Sequence, residues 1–151
     1  MLLPLLLATG MLVFGLNIQA LIMAWLVERL PRLAEWAVRG KRVRRFVGVL
    51  DLVLLHVLGA AMVQIAAWAL IFRVVGEFHD YPAAFYHSAV NFTTLGYGDL
   101  VMSPRWRLLG PLEALNGGLV LGLSSAILVS TFGHLRDARH GASHGLHRQS
   151  S

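Results

Sequence analysis

A chain of 151 residues that is 56% hydrophobic and only 14% charged is too apolar for an ordinary soluble domain. Its net charge of +5 raises the question of nucleic acid, but the basic residues gather beside long apolar runs, where topology alone accounts for them. There is no cysteine, which excludes disulfides and cysteine metal sites.

The first apolar run, Met1 to Val27, carries no charge. It is longer than the roughly 20 residues that cross a bilayer core. It lacks a basic start and is too long for a cleavable signal peptide, so residues 1–27 read as a transmembrane helix, with Pro4 at or before its start. Regularly spaced arginines are absent from it, so it does not read as a usual voltage sensor. A basic linker follows at 28–45, holding Arg29, Arg32, Arg39, Lys41, Arg42, Arg44 and Arg45. By the positive-inside rule it is cytoplasmic. Clustered basic residues beside a membrane also attract acidic head groups, so anionic lipid is an expected partner at Arg39–Arg45.

The second span is expected at 46–73, where Asp51 is the sole charge before Arg73. Asp51, His56 and Gln64 read as interior polar contacts or, for Asp51, an interfacial one. The third is expected within 105–135; its stretch from Leu108 to Leu135 holds only the charge of Glu113. The polar tail at 136–151 adds Arg136, Arg139 and Arg148 to the basic side and is expected to be disordered. His134, His140, His144 and His147 fit no strong zinc spacing. These elements make an all-α membrane protein of the plasma (inner) membrane, with the N-terminus outside and the C-terminus cytoplasmic.

The segment from Val74 to Pro104 then begins and ends outside, yet its middle is apolar. Pro82 suits a first helical turn, and a helix over 82–92 is about 16 Å long, half a membrane. The chain must return through Thr93–Leu100, "TTLGYGDL". Non-helical backbone at that depth survives only buried in protein or lining a watery path. Aiming successive carbonyls one way requires right- and left-handed backbone to alternate, and glycines at the alternate positions Gly96 and Gly98 allow it. Carbonyls of Thr94, Leu95, Gly96 and Tyr97, with the Thr94 hydroxyl, then form a row of hard oxygen ligands for a dehydrated alkali cation.

At these residues the sequence resembles the selectivity filter of potassium channels, T-T-V-G-Y-G-D, with Leu95 at the valine position. The resemblance covers Phe46 to Phe132: outer helix 46–73, pore helix 82–92, filter 93–99 and inner helix 105–135, together a pore domain at 46–135. The chain looks like a small prokaryotic potassium channel with one additional N-terminal span. With one G-Y-G per chain, the resemblance implies a homotetramer conducting K+ passively, with no cofactor beyond the permeant ion. Thr93, Gly98, Asp99, Tyr86 and His87 are the implied filter supports, and Asp99 is implied to bond Tyr86. His87 replaces the tryptophan common in the family; bonding the Tyr97 hydroxyl, filling space and sensing pH are its open roles. Gly118 matches the family hinge, while Gly118 and Gly122 also form a close-packing motif, and both readings stand. Leu119, Gly122, Leu123, Ala126 and Ser130 would line the cavity. Glu113 is an intramembrane acid, with Asn116 on its face. It either braces the pore helix, the favoured role, or concentrates cations. No nucleophile–base set indicates an enzyme. Alternatives are a less selective cation channel and a non-conducting pore-fold subunit of a membrane complex.

Overall fold

The computed structural model describes residues 2–39 and 43–148, with side chains described for 2–37 and 44–137. Four helices follow in order: α1 (Leu2–Arg39), α2 (Val43–Val74), α3 (Tyr81–Phe92) and α4 (Leu109–Arg148). There is no strand among the described residues. Leu2–Ala37, Arg44–Val74 and Leu109–Asp137 are long and apolar enough to cross a membrane.

Several expected boundaries are corrected. The first helix does not stop at Val27 but continues to Arg39, through Pro31. The charged stretch "ERLPRLAEWAVR" is made largely of good helix formers, and one proline costs a long helix a single backbone bond. The expected linker thus shrinks: 28–39 and 43–45 are helical, and residues 40–42 lie outside the described residues. Charge marks where a membrane ends, not where a helix ends. The last helix starts at Leu109 rather than 105, after turns in which Trp106 and Arg107 N–H groups both donate to the Ser103 carbonyl. The tail expected to be disordered is helical to Arg148, since no proline interrupts it and propagation fixes only one residue per added bond.

The described contacts fall into two units, Met1–Gln19 with Gly59–Leu123, and Ala20–Leu58 with Ser124–Ser151. In the first, Trp68 and Phe72 of α2 are completely buried, packed with Ala84 and Phe92 of α3, Ala8 of α1 and Leu109 of α4. Lipid chains are as apolar as leucine, so such packing rests on fit and close approach rather than on escape from water. Gly15 of α1 shows this: a Cβ there would collide with the side-chain amides of Gln64 and Asn116. Both amides are fully buried, and Asn116 Nδ2 donates to Gln64 Oε1 at 3.3 Å. In the second unit, Leu26, Leu30, Ala34 and Ala37 form one face of α1 and pack with Val49 and Val53 of α2 and with Ile127 and Leu135 of α4. His56 stacks on Trp25 there, ring centroids 4.7 Å apart, while its Nδ1 meets the Leu52 carbonyl. Asp51 is exposed.

Candidate functional site

The site starts with the short helix α3. Asp80 caps it, accepting from Ala83 N–H at 3.2 Å, and Pro82 occupies its first turn, so its start is fixed by chemistry written in "DYP". Its end is more unusual. Thr94 N–H donates to the Asn91 carbonyl at 2.8 Å, and Leu95 N–H to the Val90 carbonyl at 3.0 Å. With Thr93 as the cap residue, these are the paired bonds of a Schellman motif. That motif needs a left-handed residue at the position of Thr94, normally glycine. Thr94 adopts it, with φ of 60°.

Left-handed backbone recurs at Gly96 (φ 56°) and Gly98 (φ 74°). The alternation at 94, 96 and 98 is the pattern that a row of co-directed carbonyls requires. Thr94 lies outside what glycine placement alone reveals; a β-branched residue there carries strain of about 1–3 kcal/mol that surrounding bonds must hold. The Val90 carbonyl takes a second bond, from Gly96 N–H at 3.2 Å, so the loop is pinned to the helix that precedes it. Residues 93–99 are all exposed in the single chain; Leu95 and Tyr97 are 55% and 67% exposed.

Behind the loop, α3 is held by polar contacts. The Tyr86 hydroxyl donates to Asp99 Oδ2 at 2.8 Å. That bond holds the Asp99 carboxyl below the usual carboxylate range and pushes the Tyr86 hydroxyl above the usual tyrosine value. His87 is buried, its ring 5.3 Å from that of Phe72 and 4.9 Å from that of Phe78. Its partners are the Asn91 amide, 2.9 Å from Nε2, and the Leu100 backbone; its bond is to Asn91 rather than to the Tyr97 hydroxyl. Glu113, fully buried, meets Ser88 Oγ and interacts with Asn91. Ser88 Oγ also reaches the Ile65 carbonyl, at 2.8 Å. Outer, short and inner helices are thereby joined through Ile65, Ser88 and Glu113.

Two contacts carry weight that the sequence conceals. Glu77, just after α2, accepts from Ser103 N–H and Oγ, each at 2.6 Å, and so ties down the chain that leaves the loop. Gly117, rather than Gly118, is the glycine of close approach: a Cβ on it would collide with the Phe92 carbonyl at the end of α3. Gly118 and Gly122 have open space beside them, and with Leu119, Leu123 and Ala126 they are exposed in the single chain. No cluster of three metal-ligating side chains occurs among the described residues. His134 is exposed, its Nδ1 at the Ser130 carbonyl, and the side chains of His140, His144 and His147 lie outside the described residues.

Against this geometry, the ion-channel family matches residues 53–134, more than half of the chain and all of the segment just described from Ile65 to Gly122. The chain belongs to that ion-channel family. The channel is 42% identical over 59 residues to the potassium voltage-gated channel protein shk-1 of Caenorhabditis elegans, covering 38% of this chain and 11% of that one. It is 39% identical over 60 residues to the potassium voltage-gated channel protein Shal of Drosophila melanogaster, 39% of this chain and 10% of that one. It is 37% identical over 60 residues to the A-type voltage-gated potassium channel KCND3 of Rattus norvegicus, 39% of this chain and 9% of that one. The channel spans about a tenth of the length of these curated relatives. No solved structure matches it. Family membership makes it a membrane channel rather than an enzyme.

Proposed function

We propose that the channel is potassium-selective and conducts K+ passively through a pore built by four copies of this chain. The observation that carries this reading is the left-handed backbone at Thr94, Gly96 and Gly98, set in "TTLGYGD". That alternation lets the carbonyls of Thr94, Leu95, Gly96 and Tyr97 face one axis, where they replace the hydration shell of a potassium ion. The relatives' printed names agree in naming potassium.

Assembly is supported by what one chain leaves uncovered. Leu95 and Tyr97 expose apolar area on the loop, and Leu115, Leu119 and Leu123 on α4. One strand of backbone supplies one wall of an ion path, so the other walls come from other copies. Gly118 and Gly122 serve as hinge or packing surface within that assembly, and Ala126 lies on the lining face. The clustered basic residues support a reading with 28–45 and the tail in the cytoplasm and the N-terminus outside, in the plasma (inner) membrane.

The test is reconstitution of the purified chain in liposomes holding a potassium gradient, with flux followed when a potassium ionophore is replaced by a proton ionophore alone. Flux driven by K+ and not by an equal Na+ gradient is expected. Equal flux of both ions would leave a general cation channel, and no flux from intact tetramers would leave a non-conducting subunit.

A further inference from the structure

In the unit formed by Ala20–Leu58 and Ser124–Ser151, a groove of about 420 Å3 opens between the end of α1 and the start of α2. Its walls are unlike each other. Leu33, Val49 and Leu52 make an apolar floor, with Gly48 beside them. Arg44 and Arg45 stand over it together with Trp36. The Arg45 guanidinium lies 4.8 Å from the centre of the Trp36 ring, which fixes it in place. Neither arginine has a carboxylate partner among the described residues. Two positive charges without counter-charges therefore border an apolar slot.

Its position fixes the chemistry. α1 carries its first charged residues at Glu28, Arg29 and Arg32, and the charge-poor run of α2 follows Arg45, so the groove lies where hydrocarbon gives way to water. Tryptophan is enriched at that level, and Trp36 is 53% exposed there. Guanidinium groups bind phosphate oxygens through paired N–H donors, and the floor below them suits hydrocarbon. A soluble phosphate would leave the apolar floor open to water, and a zwitterionic lipid brings no net negative charge to set against the two arginines. We propose that this groove binds an anionic phospholipid, with its phosphate at Arg44 and Arg45 and a chain along Leu33, Val49 and Leu52. The bound lipid fastens the N-terminal helix to the outer helix. This site is independent of ion selectivity, and its test reads lipid contact rather than flux.

Gly48 offers a clean control, because a Cβ there meets nothing within 4 Å. Gly48→Leu therefore extends a side chain into the groove from a position where its first carbon meets nothing. The full chain is placed in nanodiscs of phosphatidylcholine doped with chain-brominated phosphatidylglycerol, and quenching of tryptophan fluorescence is titrated. Trp36→Phe identifies the Trp36 share of the signal. Saturable quenching at low mole fraction is expected in the unsubstituted chain. Arg44→Gln and Arg45→Gln should each weaken it about fivefold, the effect of one arginine near an acidic surface. Gly48→Leu should abolish the saturable part while leaving thermal unfolding unchanged. Inorganic phosphate at millimolar level should not compete. Equal quenching by brominated phosphatidylcholine, or quenching that survives both the paired arginine substitutions and Gly48→Leu, overturns the proposal. Competition by inorganic phosphate reassigns the groove to a soluble anion and overturns it as well.

Discussion

Ser88 Oγ lies 2.5 Å from Glu113 Oε1 and also within hydrogen-bond distance of the Ile65 carbonyl. A single hydroxyl is thus shared between a carboxyl of the inner helix and a carbonyl of the outer helix. Bracing through hydrogen bonds, rather than through charge, then makes a definite prediction. Glu113→Gln retains the shape and can still donate to Ser88, so unitary current and thermal stability should stay near those of the unsubstituted channel. Glu113→Leu leaves buried polar partners short of a bond, at about 1–3 kcal/mol. Equal current loss in both variants, with stability intact, would show that charge and not bracing is the role.

The loop makes a second prediction. Gly96→Ala and Gly98→Ala each place a Cβ on left-handed backbone, at about 1–2 kcal/mol. Both variants should insert in the membrane, and both should lose the preference for K+ over Na+ in liposome flux. Unchanged selectivity in either would remove the alternating backbone as its basis.

Gly117 and Gly118 are neighbours with opposite expected outcomes. Gly117→Ala meets the Phe92 carbonyl and should cost about 1–3 kcal/mol of overpacking. Gly118→Ala enters open space in the single chain and should leave thermal unfolding within about 0.5 kcal/mol. Thermal scans of the two variants check the contrast. A hinge role for Gly118 would appear separately, as reduced open time at unchanged stability.

The Tyr86–Asp99 bond has a pH signature. The Asp99 carboxyl is held below its ordinary value of 3.8 by the Tyr86 hydroxyl. A depressed carboxyl stabilises the fold at pH above its unfolded value, and that contribution fades as pH falls through the folded value. Acid titration below about pH 4 should therefore loosen the outer end of the loop, seen as faster inactivation. Tyr86→Phe should lower stability at neutral pH and flatten this acid response. An unchanged acid response in Tyr86→Phe would place the titration elsewhere.

Helix positions and the loop were legible because lipid imposes a length rule and left-handed backbone imposes glycine. Pro82 and Gly96 act through their own covalent geometry, and such residues declare themselves in a sequence. Thr94 does not, since its left-handed backbone comes from the Schellman bonds to Asn91 and Val90. Gly117 was hidden for a related reason: beside Gly118 it looks equivalent, and only the approach of Phe92 separates them. Ser88, Asn91 and Ser103 are ordinary polar residues whose weight comes from distant partners. The extent of α1 is not legible in the sequence, because charged residues such as Arg29 and Arg32 do not break a helix.

The contact of Gly117 with the Phe92 carbonyl has a mechanical meaning. The inner helix touches the end of α3 through main chain on both sides, and α3 in turn holds Leu95 and Gly96 through the Val90 carbonyl. A displacement of α4 at this point therefore reaches the loop backbone at Leu95 and Gly96 through a lever that contains no side chain. Substitutions nearby can alter how often such a lever moves, but its gearing is set by peptide geometry. Only a change at the glycine itself can jam it.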